Sequence, residues 1–366
     1  MGQMERYGHG GDLLTAQEIF AMPVEAFCDF SANINPLGPP QSVIAALQSG
    51  LREISAYPDP AHRQLRSGLA GRLGVSPEQL LIGNGAAECM ALALLAFAPR
   101  KVGVLAPSFL EYARFSERYG AKVQMLHVAE EAGFLPDELH CERWMKANDL
   151  VFVGHPNNPT GTPLPTRLLV KLAQWSEEFG TIVIVDEAFI DFIPPEKRFT
   201  LLSMLDQYPR VVLIRSMTKF YAIPGLRLGF AVAAPSLIAA MRAKQVTWSV
   251  NALSLRAGLA CLEVAEYERK TLALIETERS FLTERLALGF AFSVFPSAAN
   301  FLLVRLPAGL TAETMQRKLG EKGVLIRNCA MYPGLTERDM RIAVKTRADN
   351  ERLLRAIDLC TNEVAK

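Results

Sequence analysis

The chain has 366 residues, of which 50% are hydrophobic and 21% are charged. This length is enough for roughly two domains of about 150 residues each, and the composition predicts an ordered protein rather than a disordered one. Because the formal net charge is +1 and no block of like charges is present, neither nucleic acid nor an anionic membrane is a predicted partner.

The N-terminal residues 1–6 lack the basic and apolar segments that mark a secretory signal. The longest apolar stretch, residues 89–99, is shorter than the roughly 20 residues that span a bilayer, so we expect a cytoplasmic protein. The six cysteines are scattered, without a Cys-x-x-Cys pair or a histidine at metal-ligand spacing. We therefore expect buried free thiols and no metal site.

Apolar, β-rich runs recur through the middle of the chain. They predict strands at 80–82, 102–105, 123–128, 150–153, 182–185, 211–214 and 228–233. Helical patterns lie between several of them, for example at 110–119 and 165–179. Strands that alternate with helices predict a mainly parallel sheet covered on both faces, with functional groups gathered at the carboxyl ends of the strands.

The pattern changes after residue 234. A long helical stretch over about 252–288 is followed by predicted strands at 301–306, 324–326 and 340–344 and helices at 311–322 and 348–360. This pattern is typical of a second, smaller α/β unit. We therefore expect an N-terminal segment (1–40) packed with the small domain, a large domain (41–250) and a small C-terminal domain (251–366).

The stretch Ser216-Met217-Thr218-Lys219 directly follows the apolar run at 211–214, and Arg227 comes eight residues after Lys219. A lysine at a strand end can form a Schiff base with an aldehyde cofactor, and two hydroxyls and a guanidinium suit that cofactor's phosphate. A solvated surface lysine is the alternative for this motif alone. The pattern favours pyridoxal phosphate chemistry.

The segment Gly83-Asn84-Gly85-Ala86-Ala87-Glu88 links a short apolar run to a helix. The first amides of that helix, at Ala86 and Ala87, are free to hold a phosphate, although a simple tight turn has the same pattern. A dinucleotide site is disfavoured because Glu88 replaces the third glycine of Gly-x-Gly-x-x-Gly.

Two further polar residues follow apolar runs. Asp186 comes directly after the run at 182–185, where it could pair with a protonated pyridine nitrogen or merely cap a turn. Asn158 lies in the turn-rich segment His155–Gly161, from which it could donate to the cofactor's phenolate oxygen.

Taken in order, these motifs resemble the aspartate aminotransferase superfamily, the fold type I pyridoxal-phosphate enzymes, over nearly the whole chain. The resemblance implies an α/β fold, with a large domain built on a mostly parallel seven-stranded sheet and a smaller α/β C-terminal domain.

The resemblance also implies that Lys219 and Asp186 are catalytic, since Lys219 would carry the pyridoxal 5'-phosphate and Asp186 would pair with its ring nitrogen. The other cofactor contacts that it implies are Asn158 to the phenolate oxygen, Phe109 stacked on the ring, and Ala86, Ala87, Ser216, Thr218 and Arg227 around the phosphate. Tyr57 resembles the tyrosine that reaches a neighbouring subunit's phosphate, which implies a homodimer with shared active sites.

Two subfamilies are similar to the chain, the histidinol-phosphate aminotransferases and the threonine-phosphate decarboxylases of cobalamin biosynthesis. Segments 9–12, 29–38 and 218–227 look like the decarboxylases, and Phe189 stands where aminotransferases usually carry a tyrosine. This resemblance implies decarboxylation of L-threonine O-3-phosphate to (R)-1-aminopropan-2-yl phosphate. The implied ligands of such a small phosphorylated amino acid are His9, Asn33, Arg327 and Arg341, since a substrate with a phosphate and a carboxylate needs paired cations. An aminotransferase that uses the same residues stays open, as does a non-catalytic cofactor-binding protein.

Overall fold

The computed structural model describes residue 4 and residues 8–362. Its α-helices are α1 (Leu13–Phe20), α2 (Gln41–Gly50), α3 (Arg63–Leu73), α4 (Ala86–Phe97), α5 (Glu111–Arg118), α6 (Glu138–Ala147), α7 (Thr166–Phe179), α8 (Met217–Phe220), α9 (Pro235–Arg242), α10 (Ala252–Ala260), α11 (Ala265–Phe290), α12 (Ala312–Gly320) and α13 (Arg347–Asn362). Its strands are β1 (Cys28–Asp29), β2 (Leu80–Gly83), β3 (Lys101–Ala106), β4 (Lys122–His127), β5 (Leu150–Gly154), β6 (Ile182–Asp186), β7 (Val211–Ser216), β8 (Gly229–Ala233), β9 (Ser293–Val294), β10 (Phe301–Arg305), β11 (Val324–Leu325), β12 (Arg327–Asn328) and β13 (Asp339–Ala343).

Seven strands form one sheet in the order β2-β8-β7-β6-β5-β3-β4. Strands β3 to β7 pair in parallel, whereas β8 runs antiparallel to both of its neighbours. Alternate residues of β5 pack into different cores, with Val151 and Val153 on one face and Leu150 and Phe152 on the other. Because side chains alternate along a strand, this arrangement confirms the predicted sheet covered on both faces.

The C-terminal part has its own four-stranded antiparallel sheet, in the order β12-β13-β10-β9. Strand β1, from the N-terminal part of the chain, pairs in parallel with β11. The three-part domain division at residues 40 and 250 stays a prediction.

Two predicted elements differ in the structure. The helical stretch expected over about 252–288 is broken into α10 and α11 by a 3₁₀ turn at Cys261–Glu263, after which Val264 has a non-helical ψ of 41°. The strand expected at 324–326 ends at Leu325 as β11, and a separate strand, β12, begins at Arg327 in a different sheet. Periodicity did not reveal these breaks because both flanks have the same pattern.

All six cysteines are buried free thiols, as expected. Burial raises the pKa of the Cys261 thiol to about 12, which keeps it protonated and unreactive. Across residue 4 and residues 8–362, none of the helices combines the length and apolar character that crossing a membrane requires.

Candidate active site

A cavity of about 380 Å³ lies where the carboxyl ends of β6 and β7 face the four-stranded sheet. Its volume is within the usual range for small-molecule sites. Every predicted site residue except Tyr57 contributes to its lining: His9, Asn33, Ala86, Ala87, Phe109, Asn158, Asp186, Ser216, Thr218, Lys219, Arg227, Arg327 and Arg341.

Lys219 lies on the short helix α8, directly after β7. Ser216 caps this helix by accepting from the Thr218 amide at 3.3 Å, and the Ser216 and Thr218 hydroxyl oxygens are 2.7 Å apart. Burial, together with the positive charges of Arg341 and Arg227, lowers the pKa of the Lys219 amine to about 8. The neutral amine, which is the form that attacks an aldehyde, is therefore more populated near neutral pH than it is in an ordinary lysine.

Asp186 ends β6 and is held by two donors. The Tyr112 hydroxyl donates to its Oδ2 at 2.6 Å, and the Ala188 amide donates to its Oδ1 at 3.0 Å. Burial raises the pKa of the Asp186 carboxyl to about 6, while these two hydrogen bonds act in the opposite direction. A carboxylate that is buried and held by two hydrogen bonds is suited to pair with a cation such as a protonated ring nitrogen.

Sequence reasoning missed Tyr112. Its ring is fully buried and stacks in parallel on Phe152, with centroids 5.0 Å apart and an interplanar angle of 5°. It lies three residues after Phe109, and the two rings pack edge-on with centroids 5.6 Å apart. The spacing of these two aromatic residues was the available signal, but nothing in it pointed to Asp186.

The N-terminus of α4 forms another wall of the cavity. Gly85, at φ 83°, turns the chain into the helix, and a Cβ there would lie 2.7 Å from Arg227 Nη2. A Cβ on Gly229 would lie 2.4 Å from the Ala86 nitrogen. These glycines therefore let the guanidinium and strand β8 approach a helix end whose free amides and dipole favour an anion.

Arg327 and Arg341 are opposite each other in the antiparallel pair β12 and β13, and both are buried. Arg341 donates through Nη1 to Asn158 Oδ1 and through Nη2 to the Ser31 carbonyl, each at 2.6 Å. Arg327 donates through Nη2 to the Gly8 carbonyl at 2.6 Å. Burial lowers the pKa of the Arg341 guanidinium, and the charge of Arg327 acts in the same direction. Two guanidinium groups that line one wall of the cavity can bind an anionic ligand.

Three other predicted residues have defined surroundings. Because Asn158 Oδ1 accepts from Arg341, the donor of that amide is Nδ2, the group that a phenolate contact requires. Phe189 packs edge-on against Phe301, with centroids 5.0 Å apart. Asn33 is buried, and its Oδ1 has no hydrogen-bond partner within the described part of the chain.

His9 lies at the cavity mouth with half of its side chain exposed. Its Nε2 is 3.2 Å from Glu111 Oε1, and its ring lies 6.0 Å from that of Phe109. Glu111 also lines the cavity and was not predicted.

Tyr57 is outside the cavity. It is 80% exposed and stacks on Trp248 with centroids 4.4 Å apart. Leu51 and Ile54, which precede Tyr57 in the chain, and Val246, which precedes Trp248, are also largely exposed. Exposed apolar and aromatic side chains of this size mark interaction surfaces, but the role of Tyr57 in a shared site stays a prediction.

Comparison with known proteins assigns the sequence to one family. The model of the family described as "Aminotransferase class I and II" matches residues 25–357. The chain is 38% identical to the threonine-phosphate decarboxylase of Salmonella typhimurium over 95% of both chains. It is 33% identical to a histidinol-phosphate aminotransferase of Symbiobacterium thermophilum over 90% of both. The crystal structure of the histidinol-phosphate aminotransferase from Clostridium acetobutylicum matches 91% of this chain and 99% of its own, with a TM-score of 0.85 and 30% identity.

Proposed function

Because this chain belongs to the class I and II aminotransferase family and is a pyridoxal-phosphate enzyme, we propose that it decarboxylates L-threonine O-3-phosphate to (R)-1-aminopropan-2-yl phosphate. The Salmonella relative is a threonine-phosphate decarboxylase, and a further relative is an adenosylcobalamin biosynthesis bifunctional protein. We accordingly propose a place for this enzyme in cobalamin biosynthesis, in the cytoplasm.

The observation that carries this proposal is the facing pair Arg327 and Arg341. Two buried guanidinium groups at one wall match a substrate with two anionic groups, since each planar fork can bind a carboxylate or a phosphate. Threonine phosphate carries both anions, whereas histidinol phosphate carries only the phosphate. Asn33, through its Nδ2 amide donor, and His9 at the mouth would add polar contacts to the substrate phosphate.

The residues present fit pyridoxal phosphate. The amine of Lys219, with its pKa lowered by burial, would bind the aldehyde carbon. The N-terminus of α4, the hydroxyls of Ser216 and Thr218, and Arg227 would hold the phosphate. When bound, the cofactor supplies an electron-poor ring that accepts the electrons of one bond to the substrate's α-carbon.

The protein selects which bond breaks. Arg327 and Arg341 would bind the substrate's two anionic groups and so fix its orientation, which determines the bond to the α-carbon that breaks. Asp186, held by Tyr112 and the Ala188 amide, would keep a proton on the ring nitrogen. Lys219 Nζ would then deliver the proton that replaces the carboxylate on the α-carbon.

The surroundings of Phe189 support loss of carbon dioxide over transamination. It offers no hydroxyl to the cofactor's phenolate oxygen, and its edge-on packing against Phe301 leaves an apolar contact there. The similarity to histidinol-phosphate aminotransferases at 33% identity nevertheless makes transamination the second candidate.

We also propose a homodimer in which Tyr57 completes the partner's phosphate site. The support is the 80% exposure of Tyr57 and its place outside the cavity of its own chain. From that place, Tyr57 would contact a cofactor phosphate in the site of a neighbouring chain rather than in its own.

The deciding experiment supplies the purified holoenzyme with O-phosphothreonine alone and measures carbon dioxide and amine product. Lys219→Ala is the blank, because it lacks the amine on which either reaction depends. Carbon dioxide release without a keto acid, and without loss of the aldehyde form of the cofactor, is expected. Turnover of histidinol phosphate with 2-oxoglutarate, with no carbon dioxide from O-phosphothreonine, would instead establish the aminotransferase.

A further inference from the structure

Residues 8–12, which we call the N-terminal strap, cross the mouth of the cavity. At one end the Gly8 carbonyl accepts from Arg327 Nη2 at 2.6 Å. Further along, the Gly11 amide donates to Ser31 Oγ at 2.8 Å. These contacts fasten the strap to the C-terminal sheet and to the segment that follows β1.

A third contact fastens the strap to the opposite wall, helix α5. Glu111 lies in the first turn of α5 with 11% of its side chain exposed, and its Oε1 is 3.2 Å from His9 Nε2 and 3.0 Å from Arg114 Nη1. A Cβ on Gly8 would lie 2.5 Å from Arg114 Nη1, so the strap lies directly against this cluster. The hydrogen bond from His9 is the largest of the effects that lower the pKa of Glu111.

Glu111 has no part in the proposed chemistry, although it faces the cavity. Only it and Asp186 are acidic among the described lining residues. A carboxylate beside an anionic substrate is unfavourable unless cations compensate it. Here His9 and Arg114 both contact Glu111 Oε1. The carboxylate is therefore placed to hold these two side chains rather than to bind the substrate.

We propose that Glu111 is a positioning residue that holds His9 and the N-terminal strap across the cavity mouth, and thereby makes the site selective for phosphorylated amino acids. Glu111 sets the location of the imidazole, and the imidazole meets the substrate's phosphate at the mouth. Without this anchor the strap keeps its contacts at Gly8, Gly11 and Asp12, while His9 samples other positions. The selectivity half of this inference rests on the proposed function, whereas the anchoring half does not.

Hydrogen exchange of the substrate-free holoenzyme tests the anchoring. In Glu111→Ala, the amides of residues 9–12 should exchange about fivefold faster, the factor that corresponds to loss of ~1 kcal/mol from a partly exposed ion pair. Glu111→Gln keeps an acceptor for His9 and should show a smaller increase. Glu117→Ala, on an exposed position of the same helix, is the matched control and should leave the strap unchanged. Exchange in Glu111→Ala within twofold of the wild type, or an equal increase in Glu117→Ala, would overturn the anchoring role.

Steady-state kinetics test the selectivity, using O-phosphothreonine and unphosphorylated threonine. Glu111→Ala should raise KM for the phosphorylated substrate about fivefold, with less than a twofold change in kcat and in the KM for threonine. A kcat that falls as strongly as KM rises would show that Glu111 acts in the chemistry, and the proposal would then be wrong. If O-phosphothreonine does not react with the wild type, the proposed function fails, and the same KM comparison is made with histidinol phosphate and histidinol.

Discussion

Replacing Tyr112 with phenylalanine removes one hydroxyl and leaves Asp186 Oδ2 without the donor that lies 2.6 Å away. Burial keeps the pKa of Tyr112 well above its usual range, so this hydroxyl is a donor at all working pH values. A hydrogen bond to a charged group is worth about 1.5–3 kcal/mol, which equals roughly 1–2 pKa units. The pKa of Asp186, already about 6, should therefore rise further in the variant.

Because proton binding and folding are coupled, the raised pKa of Asp186 determines how the stability of the protein changes with pH. The pKa of Asp186 is higher in the folded than in the unfolded protein, so the folded state binds this proton more tightly, and stability falls as pH rises from about 4 to about 6. In Tyr112→Phe this loss continues to higher pH and becomes larger. With an unfolding entropy of about 2.1 cal/mol/K per residue over 366 residues, ~1.5–3 kcal/mol corresponds to roughly 2–4 °C in Tm.

The assay is thermal unfolding of the cofactor-free protein at pH 5 and pH 8. The Tm difference between wild type and Tyr112→Phe should be small at pH 5 and approach roughly 2–4 °C at pH 8. Tyr119→Phe, an exposed tyrosine just after the same helix, should show no pH-dependent difference. An equal Tm difference at both pH values would refute the reasoning, because it would mean that Tyr112 contributes packing and no bond to the Asp186 carboxylate.

Three other outcomes are expected. Borohydride reduction of the holoenzyme followed by peptide mapping should label Lys219, and a label on another lysine would remove the basis of the site assignment. Arg341→Met should weaken binding of O-phosphothreonine by about 1.5–3 kcal/mol for each charged hydrogen bond lost, measured as KM; an unchanged KM would show that this guanidinium only supports Asn158. Dimers mixed from Tyr57→Ala and Lys219→Ala chains should regain activity, because one site then carries both changes and the other carries neither. If verified mixed dimers stay inactive, Tyr57 does not act across the interface.

The sequence was sufficient to predict the large sheet because each of its strands is a short apolar run of β-favouring residues. It also predicted that Asp186 and Lys219 come together, because both lie at the carboxyl ends of strands and such ends meet at one edge of a parallel sheet; the two strands are neighbours. The bond from Tyr112 to Asp186 spans 74 residues and depends on how α5 is oriented over the sheet. Local pattern carries no information about that orientation.

The pairing of His9 with Glu111 escaped prediction for the same reason. The segment around His9 has few apolar residues and no periodicity, so its path over the cavity is set by contacts with Arg327 and Ser31, which are far away in the chain. The break at residue 326, between β11 and β12, is a further tertiary effect, since the pairing partners β1 and β13 lie in different parts of the sequence.

The facing guanidinium groups of Arg327 and Arg341 affect the choice of buffer for storage and for kinetic assays. In the absence of substrate, we expect this wall to bind sulfate or inorganic phosphate from the buffer. Such an anion stabilises the protein by RT ln(1 + [L]/Kd), about 1.4 kcal/mol at ten times its dissociation constant, and it competes with the substrate. Storage in phosphate should therefore prolong the life of the enzyme, while kinetic constants measured in the same buffer would understate its affinity for the substrate.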